Sequence, residues 1–326
     1  MPVYPTCEFA LLSDSEAIET VRTAVSDRDP FSLIRLGDGE AVLLSFGEDM
    51  GLQDLAYLHS HWGAERVTLR DVGLVKQDLE MAVRGADVVG IRDDLVNTTL
   101  PPDLLQRSAT EVRDTVISAI RIRPEEIEDL KAIGARRLAL LHQVLRSIEW
   151  AEDQQFCSAW IHWDLLATGA LNQILQDVNQ VGLVTSRPEL GEMVARRFSI
   201  QTRTVIVPDK HVVVPGPGEH VPDRYRTIRS EFDFPPGTLV LVGAGIPGKV
   251  YCQWLKESGC VALDVGSIFD AWVGRASRPT VLKSRFSITE GDRVPSDLQI
   301  HVPSYGGRRL IPRWKPSNLA ERRRGE

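Results

Sequence analysis

The 326-residue sequence predicts an α/β fold, Rossmann-like, with a mostly parallel sheet and helices on both faces. Three observations lead there. Short apolar runs such as FSLIRL (31–36), ADVVGI (86–91) and TLVLV (238–242) have the length of buried strands rather than of helices. Polar or glycine-containing turns follow these runs. Segments with apolar residues at helical spacing lie between them, so strand and helix alternate along the chain.

The elements follow in order. Ser13 and Glu16 form a capping box, in which each side chain satisfies a backbone N–H of the other residue. Ala17, Ile18, Val21, Ala24 and Val25 then repeat at helical spacing until Asp29-Pro30 stops the helix. The strand at 31–36 comes next. TLRDVGLVKQDLEMAVRG reads as a helix before the strand at 86–91. Two helical segments are expected around 110–150, the second opening with Pro124, Glu125 and Glu126, which suit a helix start. SAWIHWDLLATGALNQIL (158–175) reads as one apolar helix. Strands at 181–184, 203–207, 238–242 and 260–264 then alternate with helices near 188–198, 222–232 and 247–258. Residues 1–280 are read as one α/β domain with a helical insertion around 100–155, and 281–326 as a basic, proline-containing extension.

Bulk composition narrows the function. The chain is 43% hydrophobic and 25% charged, ordinary for a globular protein. Its net charge is −7, yet residues 281–326 alone carry +5, which leaves an acidic body. Nucleic-acid binding needs clustered cations, so that class is set aside. No apolar run reaches the roughly 18 residues of a membrane span. The start lacks a basic segment followed by an apolar one, so no signal peptide is expected. Cys7, Cys157, Cys252 and Cys260 show no metal-ligand spacing and are expected to be reduced thiols in a cytoplasmic protein. The sequence leaves the oligomeric state open.

Ligands of open α/β sheets bind outside the carboxyl ends of the strands. That rim would carry Gly37-Asp38-Gly39-Glu40, Arg92-Asp93-Asp94, Thr185-Ser186-Arg187, Pro208-Asp209-Lys210-His211, Gly243-Ala244-Gly245-Ile246-Pro247-Gly248 and Asp264-Val265-Gly266-Ser267. If the chain stays extended after Arg35, Asp38 and Glu40 lie on one side and can converge on a divalent cation, Mn²⁺ or Mg²⁺. The other reading is a turn whose Asp caps a helix. Arg35 suits a phosphate or a carboxylate. Gly243, Gly245 and Gly248 meet the spacing of a dinucleotide fingerprint, and Asp264 lies about 20 residues on. That motif is equally compatible with the nucleotide rim of a transferase or with a tight strand-to-helix turn. His162, between Trp160 and Trp163, reads as a hydrogen-bonded core histidine, and the two tryptophans as core.

Two segments together resemble a known family. IRLGDGEAVLL is similar to the Arg-Phe-Gly-Asp-Gly-Glu segment of the GT-D-type glycosyltransferases, with Leu36 in place of Phe. TLVLVGAGIPGKVYCQWLKESGCVALDVGSIFDAW resembles that family's C-terminal strand–glycine–helix–strand unit, and VGLVTSRPELGEMVARRFSIQTRTVIVPDKH fits the middle of the domain. The resemblance spans roughly residues 30–275 and implies a GT-D-like fold and transfer of a sugar from a nucleotide donor, a UDP-sugar above all, to an acceptor hydroxyl. It implies Asp38 and Glu40 as the metal and diphosphate site. With it, Arg35, Arg187, Lys210 and the Gly37, Gly39, Gly243, Gly245 and Gly248 backbone become phosphate candidates. Asp264 becomes an acceptor for a sugar or ribose hydroxyl, and His211 or Asp209 a general base. Two alternatives stand beside this reading: an NAD(P)-dependent oxidoreductase using the glycine fingerprint, and a nucleotide-sugar-binding protein without turnover.

Overall fold

The computed structural model describes residues 9–47, 58, 62, 67–92, 140–141, 143–208 and 219–273. Seven strands form one sheet in the order β3-β2-β1-β7-β6-β4-β5, and every pairing is parallel. They are β1 Phe31–Arg35, β2 Val88–Ile91, β3 Gln155–Ser158, β4 Gln180–Thr185, β5 Gln201–Ile206, β6 Leu239–Gly243 and β7 Val261–Asp264. The helices are α1 Asp14–Asp27, α2 Asp38–Leu44, α3 Leu69–Gly85, α4 Ile161–Ala167, α5 Ala170–Gln176, α6 Leu190–Phe198, α7 Pro247–Glu257 and α8 Ile268–Trp272.

The strand sequences explain the layering. Successive side chains of a strand point to opposite faces. Phe31 and Leu33 of β1, Leu239 and Leu241 of β6, and Val261 and Leu263 of β7 enter one core with α1, α4, α5, α6 and α8. Ile34, Val240, Val242 and Ala262 enter the other, with α2, α3 and α7. A strand apolar on both faces can only lie between two helical layers. The predicted capping box is present: Ser13 N–H donates to Glu16 Oε2 at 2.8 Å, and Glu16 N–H lies 3.3 Å from Ser13 Oγ. The same device starts α3, where Thr68 and Asp71 exchange hydrogen bonds.

Three expectations are corrected. The stretch 158–175 is not one helix. It follows a strand, β3, and divides into α4 and α5 at Gly169, whose φ of 74° is left-handed and interrupts the helix. β3 escapes recognition because it is a four-residue edge strand with polar Gln155 and Ser158 at its ends. The helix expected at 222–232 is three short helical turns, His220–Arg224, Tyr225–Thr227 and Ile228–Glu231. The helical segments expected over 110–150 fall mostly outside the described residues, and the extension 281–326 lies wholly outside them. No helix among the described residues is long and apolar enough to cross a membrane.

Packing at the carboxyl end of β6 leaves no room for a side chain at Gly243. A Cβ there would sit 2.4 Å from Phe269 Cδ2 and 3.0 Å from the Gly266 carbonyl oxygen. The Gly243→Ala variant is therefore expected to lose about 1–3 kcal/mol of stability, as overpacked cores do. Urea denaturation checks this, and an unchanged midpoint would show that Phe269 moves aside without cost.

Candidate active site at the β1/β7 switch point

From β1 the chain builds outward through β2 to β3, whereas β7 joins β1 from the side of β6 and β4. The strand order therefore reverses between β1 and β7, the position at which open parallel sheets place their binding crevice. β1 ends at Arg35 and β7 at Asp264. Arg35 Nε donates to the Asp264 carbonyl oxygen at 2.9 Å, and Arg35 Nη2 to Asp264 Oδ1 at 3.1 Å. Arg35 Nη1 donates to the Ala159 carbonyl at 3.3 Å and lies 2.8 Å from Nδ1 and 3.0 Å from Nε2 of His162. Because arginine only donates, the histidine nitrogen facing it accepts. Gly266 makes this possible. Its φ of +50° is left-handed, and a Cβ there would lie 2.3 Å from Arg35 Nη2.

Lys249 joins the cluster from α7. Its Nζ lies 2.9 Å from Glu40 Oε1, 3.1 Å from Asp264 Oδ2 and 3.1 Å from the Gly245 carbonyl oxygen. Glu40 Oε2 meanwhile accepts the Gly37 N–H at 2.8 Å. Lys249, Glu40 and Asp264 are all buried, Asp264 to 1% exposure. Two cations and two carboxylates thus cancel inside the protein. Burial alone would raise the Asp264 carboxyl, but Arg35 and Lys249 beside it hold it below the usual range. Burial would likewise lower the Lys249 ammonium, and Asp264 and Glu40 keep it above its ordinary value.

This geometry revises several sequence-based roles. Asp38 and Glu40 are not on an extended segment; they are the first and third residues of α2. Side chains two apart on a helix stand about 200° around its axis, so the pair does not converge by the strand argument. Glu40 serves instead as the capping acid of its own helix and the partner of Lys249. Asp264 is 1% exposed and ion-paired with Arg35 and Lys249, rather than open to a ribose or sugar hydroxyl. The glycine turn is no simple phosphate cradle either. Gly248 N–H donates to the Gly245 carbonyl at 3.1 Å, Lys249 N–H to the Ile246 carbonyl at 3.3 Å, and Pro247 has no N–H. Gly245, exposed and left-handed at φ +63°, shapes the turn, and a Cβ on it would meet nothing within 4 Å.

Arg187, after β4, is buried and bound to Asp270, with Nε 2.7 Å and Nη2 2.5 Å from Asp270 Oδ1. Asp38 is half-buried, and Gly37 and Gly39 flank it, Gly39 buried within α2. Asp209, Lys210 and His211 lie outside the described residues. His162 is buried and hydrogen-bonded, as its sequence context implies. Trp163 is core, while Trp160 is half-buried beneath Arg92, whose guanidinium lies 5.4 Å from its ring centre.

Lys249 is the residue that the sequence analysis passed over. It had a physical signal. Lys249 is the third residue of α7, and a cation at a helix N-terminus opposes the macrodipole. A buried lysine in that position requires carboxylates from elsewhere.

Breaking a buried ion cluster by removing one partner costs about 3–5 kcal/mol. Asp264→Asn should destabilise the protein by that order at pH 7 in urea denaturation. Because the folded-state pKa of Asp264 is depressed, its ionised form stabilises the fold above the ordinary carboxylate value of about 3.9. That contribution is lost as pH falls through the folded value. The stability gap between wild type and Asp264→Asn should therefore be full near neutrality and narrow below about pH 4; a gap independent of pH would refute the assignment.

The GT-D fold-like domain model matches the chain over residues 12–139 and 137–272. No curated protein matches the sequence. Similar solved structures include one described as the highly conserved domain of unknown function 1792 with a distinct glycosyltransferase fold, at 14% identity over 91% of this chain and 93% of that one, TM-score 0.48. Another is described as a new glycosyltransferase of the same domain type from Streptococcus sanguinis, at 15% identity over 91% and 97%, TM-score 0.44. A selenomethionine-substituted structure of that domain type matches at 12% identity over 79% and 83%, TM-score 0.46. The family match covers most of the α/β body, including every residue of the ion cluster, so the chain belongs to the GT-D-like family, and glycosyl transfer is the activity that membership assigns to it.

Proposed function

We propose that this glycosyltransferase takes its sugar from a nucleoside-diphosphate donor, a UDP-sugar in the first instance, and uses a divalent cation held by Asp38. Charge balance at the β1/β7 crevice carries the reading. Arg35 and Lys249 are matched by Asp264 and Glu40, and Arg187 by Asp270. A diphosphate placed here therefore brings negative charge beside three cations that are already paired with carboxylates. Mn²⁺ or Mg²⁺ reverses that balance, and these hard ions are commonly held by one or two carboxylates together with substrate phosphates. Among the described residues, no three His, Cys, Asp or Glu side chains converge as a metal cage. Asp38 fits the ion; Glu40, with both oxygens engaged, does not fit it as it stands.

The bound cation would neutralise charge growing on the departing nucleoside diphosphate. The chain's own residues supply the rest. Asp38 is the first residue of α2, which follows β1, and the Gly245 turn is exposed, with nothing within 4 Å of a Cβ placed on it. Lys210 is proposed as a further phosphate contact, and Asp209 or His211 as the base toward the acceptor hydroxyl, on their place in the sequence after β5. Buried free thiols at Cys157, Cys252 and Cys260 support a reducing, cytoplasmic setting. The oxidoreductase alternative loses its main support with Asp264 enclosed, since the fingerprint needs that acid on a ribose.

A thermal-shift panel of nucleotide sugars with and without Mn²⁺ tests the reading. Saturating donor at 100 times its Kd should add about 2.7 kcal/mol of stability. Asp38→Asn should remove the Mn²⁺-dependent part of the gain. Identical Mn²⁺ responses in wild type and Asp38→Asn would reject Asp38 as the metal residue. Nucleoside-diphosphate release with donor and acceptor together separates the enzyme from a binding protein without turnover.

A further inference from the structure

We infer that Lys249 is a positioning residue for the donor site, and that Glu40 acts through it rather than as a metal ligand. The inference rests on the donor reading above and concerns how the chain holds Asp38 in place. An ammonium has three N–H donors. Lys249 has three oxygens around it, one from each of three separate pieces of chain: Glu40 Oε1 on the first turn of α2, the Gly245 carbonyl in the turn after β6, and Asp264 Oδ2 at the end of β7. All three pieces border the crevice. Lys249 is thus a single cation that ties the α2 start, the glycine turn and the β7 end into one floor.

The remaining contacts extend the clamp. Asp264 shares its other oxygen with Arg35, which reaches His162 and the Ala159 carbonyl beyond β3. Glu40 passes the constraint to the backbone, because its second oxygen holds the Gly37 N–H, one residue before Asp38. The position of Asp38 is therefore fixed through a chain of contacts: Lys249 to Glu40, and Glu40 to Gly37. The Gly245 carbonyl takes a hydrogen bond from Lys249 and the two carboxylates form ion pairs with it, so the charge of the ammonium is matched inside the clamp. Glu40, with one oxygen on Lys249 and one on Gly37, is committed in the same way.

This arrangement makes a prediction opposite in sign to the metal-ligand reading of Glu40. Were Glu40 a metal ligand restrained by Lys249, the Lys249→Met variant would remove a repelling cation, release a carboxylate and bind Mn²⁺ more tightly. As a clamp, Lys249→Met instead loosens the Asp38 turn and weakens Mn²⁺ and UDP together. The full-length protein is titrated calorimetrically with UDP in the presence of Mn²⁺, well below its melting temperature, as wild type, K249M, E40Q and E40Q/K249M. K249M and E40Q are each expected to weaken UDP binding at least tenfold. The double variant, which removes one charge of each sign, is expected to recover much of the melting temperature lost by K249M while its UDP affinity stays at least tenfold below wild type. Recovery of affinity together with stability would reduce Lys249 to a purely structural role and overturn the inference, as would tighter Mn²⁺ binding by K249M. Wild-type protein that binds no nucleoside diphosphate would count against the donor reading alone. The clamp is then decided by native-state hydrogen exchange without nucleotide: faster exchange of the Gly37 and Gly248 amides in E40Q and K249M supports it, and unchanged exchange refutes it.

Discussion

Four formal charges, three of them on buried side chains, meet between β1 and β7 and set the terms for everything around them. An isolated charge in such a place would cost several kcal/mol or neutralise itself. Arg35, Lys249, Glu40 and Asp264 offset that cost because each is within about hydrogen-bond reach of an opposite charge. The constraint spreads outward from them. Gly266 must lack a side chain so that Arg35 can reach Asp264, and Gly37 must offer its N–H to Glu40. The turn at Gly245 must turn its carbonyl toward Lys249. Several of the glycines that look like a nucleotide fingerprint are thus explained by the ion cluster and by packing against Phe269.

The helix ends show why the acids and the base stand where they do. Asp38 and Glu40 occupy the first turn of α2, where negative charge meets the positive end of the macrodipole. Lys249 occupies the first turn of α7, where its own charge is unwelcome. Placing Glu40 and Asp264 against that lysine resolves the conflict locally and links two helices with two strands. A motif of two acids spaced by one residue then contains two different jobs. The acid at the third helical position reaches back to its own N-cap, as capping boxes require. The acid at the first position has no such geometric duty toward the N-cap.

The sequence makes much of this fold legible and part of the site misleading. Strands apolar on both faces, such as Leu33 and Ile34 in β1, announce a two-sided parallel sheet, and the Ser13 and Glu16 cap is read directly. β3 is hidden because a short edge strand need not be apolar, and the α4/α5 break turns on the backbone freedom of Gly169. The expectation of an extended segment at Asp38 and Glu40 fails for a single reason: an i, i+2 pair converges on a strand and diverges on a helix, and the glycine-rich turn does not declare which follows. Lys249 is invisible to motif spacing since its partners lie far away in the chain, at positions 40 and 264. Pairing over such separations belongs to topology, and only the strand order β1-β7-β6 brings those positions together.

A neutral floor also bears on turnover under the donor reading proposed above. A buried surplus of lysine and arginine would attract a diphosphate in the substrate and hold the same diphosphate in the product. Binding both states alike lowers KM without speeding the chemical step. Under that reading, Arg35, Lys249 and Arg187 are already matched by carboxylates, so added positive charge would come from an exchangeable ion that could depart with the nucleoside diphosphate. The fixed ions then provide shape rather than attraction: they hold Asp38 and the Gly245 turn at a set separation before the donor arrives, so less ordering is left for the binding event. Rigidity at this point comes from electrostatics within the protein; under the donor reading, the attraction for substrate would come from outside it.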